Sequence, residues 1–120
     1  MSDDKKYNGW TNYETWNAKL WMDNDESSYS YWNEIAQECY NDAEAGESYP
    51  SQTREDAAAY TLSERLKDEH EEAAPVVTGF YADILSAALS EVNWYEIAQS
   101  LLEDVDKDAD EPEDDEEQEA

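Results

Sequence analysis

Apolar residues in this chain recur at helical spacing, and alternation over four or more residues is missing, so the pattern predicts helices and almost no strand. Thr11 and Glu14 have the spacing of a capping box, and Tyr13, Trp16 and Leu20 follow with Trp21 beside them, predicting a first helix from about Asn12 to Met22. Asp23 to Ser28 offers capping side chains for a second, whose stripe of Trp32, Ile35, Ala36, Cys39 and Ala43 runs until Gly46. After a loop through Pro50, Ser51 or Thr53 can cap a third helix with Ala58, Ala59, Leu62, Leu66 and Ala73 on a narrow apolar side, ended by Pro75. Thr78 and Gly79 open a fourth carrying Phe80, Ile84, Leu85, Ala88 and Leu89. This is the most apolar segment, and that predicts it as the centre of the bundle. Asn93 and Glu96 form a variant capping box for a fifth, with Trp94, Ile97, Ala98, Leu101, Leu102 and Val105. The expected fold is all-α, a compact bundle of about five helices spanning residues 8–105. A flexible N-terminus (1–7) and a disordered acidic tail (106–120) are expected to flank it.

Charge changes this picture from a small helical bundle into an unusual one. The chain of 120 residues has 33 acids against seven Lys and Arg, a formal charge of −26. Residues 103–120 hold twelve acids and one lysine, and residues 1–7 hold two of each, so Asn8 to Leu102 keeps 19 acids and four bases. The part able to fold is itself strongly anionic, which costs stability through self-repulsion. Five Trp, nine Tyr and one Phe supply the burial that sparse aliphatic residues cannot, and exclude a wholly disordered chain. Direct binding to nucleic acid or anionic lipid is disfavoured because phosphates are repelled, so the expected partner is basic. A single cysteine, Cys39, permits no internal disulfide, and no segment has the apolar length to span a bilayer, so a reduced, cytoplasmic setting is expected.

The opening Asn8-Gly9-Trp10-Thr11-Asn12-Tyr13-Glu14-Thr15-Trp16-Asn17, then Leu20-Trp21-Met22-Asp23-Asn24, resembles the start of a family of small, uncharacterised proteins carried by phages and plasmids. The resemblance continues in Tyr81-Ala82-Asp83-Ile84-Leu85 and Val92-Asn93-Trp94-Tyr95-Glu96-Ile97-Ala98. It implies a context of viruses and mobile elements and assigns no chemistry to any residue. By charge and size the chain also resembles DNA-mimic proteins with which phages block host restriction or CRISPR machinery.

Two acidic rows are the candidate partner-binding residues: Glu34, Glu38 and Asp42 on the second helix, and Glu64, Asp68 and Glu72 on the third, each repeating every four residues. Like charges at this spacing destabilise a helix by about 0.2–0.5 kcal/mol per pair, so local stability is not the reason for them. Duplex DNA carries one charge per roughly 1.7 Å of axis, and several such rows side by side approach that density. The bland account is that each row is a solvated face.

Catalysis has little support. His70 lies in a polar run, Lys67 to Glu72, and reads as a solvated surface histidine; Cys39 lies on an apolar stripe with no basic neighbour in sequence to activate it. Asp23, Asp25, Ser27 and Glu34 resemble calcium-loop spacing, but Ser28 stands where the sharp turn needs Gly, and helix capping accounts for the segment better. No metal, cofactor or catalytic residue is therefore expected. The expectation is a non-enzymatic DNA mimic that occupies the DNA-binding surface of a basic host defence complex. The alternatives are a salt-adapted interaction or scaffold protein and an acidic chaperone of a basic protein.

Overall fold

The computed structural model describes residues 7–107, and among them five α-helices account for the ordered structure: α1 (Tyr13–Asn24), α2 (Glu26–Asp42), α3 (Arg54–Ala73), α4 (Gly79–Glu91) and α5 (Trp94–Leu102). The fold is all-α, as the periodicity predicts. Expectations for residues 1–6 and 108–120 lie outside the described residues. Asp106 and Lys107, the start of the segment expected to be tail, are held to the bundle. Asp106 exchanges two hydrogen bonds with Gln37, and Lys107 pairs with Glu55 at 3.0 Å.

The caps explain where the helices begin. Thr53, the second of the two candidates, caps α3 in a reciprocal box with Asp56. Asp25 serves two helices at once: its N–H donates to the Trp21 carbonyl that ends α1, and its carboxylate accepts from Ser27 N to start α2. With a single residue joining these helices, no twelve-residue calcium loop can form there. The cap of α1 differs from expectation. It is Asn12, whose Oδ1 accepts from Thr15 N at 2.9 Å, and Thr11 is instead turned toward α5.

Before α1 stands a tight turn in which Tyr7 and Trp10 exchange both backbone hydrogen bonds. Asn8 (φ 48°) and Gly9 (φ 89°) occupy the left-handed region that a type I′ turn demands at both central positions, which is why Asn-Gly suits it. The turn stacks Tyr7 edge-on against Tyr13 and Trp16, at ring separations of 5.3 and 5.0 Å.

The core is built from α2, α3 and α5. Leu62, Leu66 and Ile97 are fully buried, and Ala36, Ala57, Ala58, Ala59 and Ala98 let the helix backbones approach closely. Against this core, three expectations fail. The α1 stripe of Tyr13, Trp16 and Leu20 faces away from the centre, while Thr15, Ala18 and Met22, half a turn round, face it. Thr15 is inside because its hydroxyl is consumed: it bonds Asn12 Oδ1 at 2.6 Å and accepts from Asn93 N at 2.8 Å. The second failure is α4, which has no buried residue and lies at the edge against α1. α5, amphipathic and anchored at Asn93, takes the central place that all-round apolarity predicted for α4. The third is Ala73, exposed because α3 outruns the helices that cover it.

Two of the segments that carry the sequence resemblance, the opening one and that around Asn93, clasp each other. Thr11 N donates to Glu96 Oε1 (3.1 Å), Asn12 Nδ2 to the Glu91 carbonyl (2.7 Å), and Asn93 N to Thr15 Oγ1. Asn93 also caps α5 through Glu96 N, so the predicted box is half made, with the Glu96 carboxylate buried and turned to Thr11. The motif richest in Trp is thus the joint that fixes α1 to the α4–α5 corner.

Candidate functional site

Two residues of the α2 row, Glu38 and Asp42, line a groove between α2 and α3. α2 and α3 run antiparallel: Arg54 Nε at the start of α3 donates to the Tyr40 carbonyl at the end of α2, and Tyr31 near the start of α2 donates to Glu69 near the end of α3. A depression of about 120 Å³ between them is lined by Glu38, Asp42 and Glu47 on one side and Thr61 and Arg65 on the other. Asp68 and Glu72 lie further along the α3 stripe of Thr61 and Arg65, and Glu34 lies one turn before Glu38 on α2; Arg65, not a carboxylate of the α3 row, faces Glu38 and Asp42 across the groove. Glu64 stands on the outer shoulder of the stripe. All six carboxylates are exposed.

Their spacing can be read from the helix rise. With Tyr31 opposite Glu69, the six groups interleave along roughly 20 Å, about one charge per 4 Å, which is less dense than the roughly 1.7 Å of duplex DNA but similar to one of its strands. None of the six pairs with a cation among the described residues. The described cations bond elsewhere: Lys19 to Asp23, Arg65 to Glu69, Lys67 to Glu71, Lys107 to Glu55, and Arg54 to the carbonyls of Tyr40 and Asn41.

A network that the sequence reading did not single out crosses the seam between α2 and α3. Glu69 accepts from the Tyr31 hydroxyl at 2.8 Å and from Arg65 Nε and Nη2 at 3.1 and 2.9 Å. Burial alone would raise the Glu69 carboxyl, but the hydrogen bonds from Tyr31 and Arg65 together hold it below the ordinary range. The Tyr31 hydroxyl is raised in turn, first by its hydrogen bond to that carboxylate. The Arg65–Glu69 spacing of four residues was visible in the sequence; the tyrosine from another helix was not.

His70 is not a solvated surface residue. Its ring lies stacked between Trp32 of α2 and Trp94 of α5, at centroid separations of 5.5 and 5.0 Å. Its Nδ1 lies 2.8 Å from the Leu66 carbonyl, which can only accept, so the proton is on Nδ1. The polar neighbours in sequence hid the fact that Ala59, Leu62, Leu66 and His70 share one helical stripe. The Nε1 of Trp94 is buried and has no acceptor among the described residues. Cys39 is buried on the apolar side of α2, and burial pushes its thiol up, making it a poor nucleophile. Among the described residues no group of His, Cys, Asp and Glu could hold a metal ion, and no helix is long and apolar enough to cross a membrane.

Residues 3–115 match the model of a family of unknown function, DUF7249, and the chain belongs to that family. No curated protein and no solved structure matches it.

Proposed function

Membership of a family of unknown function supplies no chemistry, and from the surface just described we propose that this protein is a non-enzymatic polyanion mimic. It would occupy the DNA-binding channel of a basic host defence complex, a restriction enzyme or a CRISPR effector. The observation that supports this reading is that Glu34, Glu38, Asp42, Glu64, Asp68 and Glu72, on the neighbouring helices α2 and α3, are all exposed and none pairs with a cation among the described residues. A groove lined with Lys and Arg for phosphates meets there a linear array of acceptors at comparable spacing, already ordered and so bound at little entropic cost. The thiol of Cys39, by contrast, is buried and offers no exposed nucleophile.

The test is capture of binding partners from host lysate on the immobilised full chain, with elution by rising salt, followed by DNA displacement from the captured complex. Reversing Glu34, Glu38 and Asp42 to Lys is expected to weaken binding by at least tenfold while helicity is kept, and association is expected to slow as salt rises. Unchanged displacement of DNA by the reversed protein would count against this surface.

A further inference from the structure

The feature the acidic seam leaves unexplained is α4. From Ala74 to Ser90 the only charged residue is Asp83, in a chain of formal charge −26. The same segment carries the most exposed large apolar side chains among the described residues: Val76 is 97% exposed, Tyr81 71% and Phe80 70%, with Ile84 at 53% beside them. With aromatic side chains of about 150–250 Å² each, these four expose on the order of 600 Å² of apolar surface. That is at the upper limit of the largest patch on an ordinary monomer, about 300–600 Å². Beside it, between the end of α3 and α4, runs a groove of about 860 Å³, bordered by Pro75, Val76, Leu85 and Leu89, with the Lys67–Glu71 ion pair on its α3 wall.

Local energetics leave α4 poorly supported. Its N-cap, Thr78, makes no side-chain hydrogen bond, none of its residues is buried, and thirteen residues are marginal for an isolated helix. Its half-covered side rests on α1, and Phe80, Tyr81 and Ile84 on the other side are exposed among the described residues.

We propose that α4 and the preceding Ala74–Thr78 segment form a self-association surface through which two copies pair about a two-fold axis. Protrusion and recess lie side by side, so a two-fold operation can bring Phe80 and Tyr81 of each copy toward the groove of the other; this is the self-complementarity an isologous contact requires. A standard interface buries about 800 Å² per partner, and the exposed apolar side chains with the groove walls come close to that area. Charge selects the occupant. A basic partner is drawn to the carboxylate seam, whereas a second copy of a strongly anionic chain can approach only where like charge is thinnest, and that is here. The pairing is independent of the proposed function, because it uses another face and has the opposite response to salt: screening weakens attraction to a basic target but relieves repulsion between copies.

Sedimentation equilibrium of the full chain, from micromolar to submillimolar concentration at low and at high salt, is the test. The expected result is a mass approaching twice 13.8 kDa, with tighter association at high salt. The double variant Phe80→Asp and Ile84→Asp is expected to weaken pairing on the order of a hundredfold, with far-UV circular dichroism unchanged because both side chains are exposed in the single chain. Trp21→Ala, which removes the exposed indole of α1, is expected to leave pairing intact. A single-chain mass throughout overturns the proposal. So does pairing that survives the α4 double variant, or pairing lost only with Trp21.

Discussion

α5 and α4 are consecutive helices joined by Val92 and Asn93, and they meet opposite fates. α5, nine residues long, buries Trp94, Glu96, Ile97, Ala98, Leu101 and Leu102; α4, thirteen residues long, buries none. What separates them is how the apolar residues are arranged, more than how many there are. α5 concentrates them on one face and is capped by Asn93, so it can lie between α2 and α3 with its polar side outward. α4 spreads them around its circumference and has no side-chain cap. A helix of that kind is satisfied either at the centre of a large protein or against a second surface, and a domain of this size already has its centre filled.

The comparison should break most sharply with cavities. Leu62→Ala or Ile97→Ala is expected to cost about 2–5 kcal/mol in urea unfolding, whereas Ile84→Ala in the single chain should cost under about 1 kcal/mol. Equal losses would erase the distinction between core and periphery. His70→Ala removes the ring shared by Trp32 and Trp94 and is expected to cost about 1–3 kcal/mol, with a change in tryptophan fluorescence that a surface histidine would not produce. Thr15→Val keeps the shape but strands the Asn93 N–H at the joint of α1 and α5, for an expected loss of about 1–3 kcal/mol. At the start of α1, Asn12→Ala should cost about 1 kcal/mol and clearly more than Thr11→Ala, since Asn12 is the cap. The smallest effect belongs to the seam. Glu69 has its carboxyl held low in the folded state, so its contribution is present at neutral pH and is lost as pH falls through that depressed value. Comparing acid unfolding of the native chain with Tyr31→Phe should reveal a difference of about 0.5 kcal/mol.

Much of the fold could be read before any coordinates. Five helices stand near their predicted bounds, with the cores of α2, α3 and α5 on the stripes their spacing marks, because amphipathic periodicity and capping chemistry act within a few residues of each position. The acidic rows were legible for the same reason. Faces without amphipathic contrast were not. On α1, aromatic residues outweighed Thr15 as markers of the inside, yet a hydroxyl with two partners, the local cap Asn12 and the distant Asn93, is cheaper to bury than its polarity suggests. On α3, His70 looked solvated beside Lys67, Asp68 and Glu69, and only the arrival of Trp32 and Trp94 from other helices made it interior.

The sequence by itself determined the helical class, the helix boundaries and the sign and surplus of the charge, since each depends on neighbours along the chain. Tertiary structure alone decided that α2 and α3 lie side by side with Glu38 and Asp42 on the groove between them, that the Asn-Gly-Trp-Thr-Asn segment is a clasp onto Asn93 and Glu96, and that α4 is left outside. Those outcomes turn on which faces of separate helices compete for one limited core, and that competition is settled by packing across the whole chain.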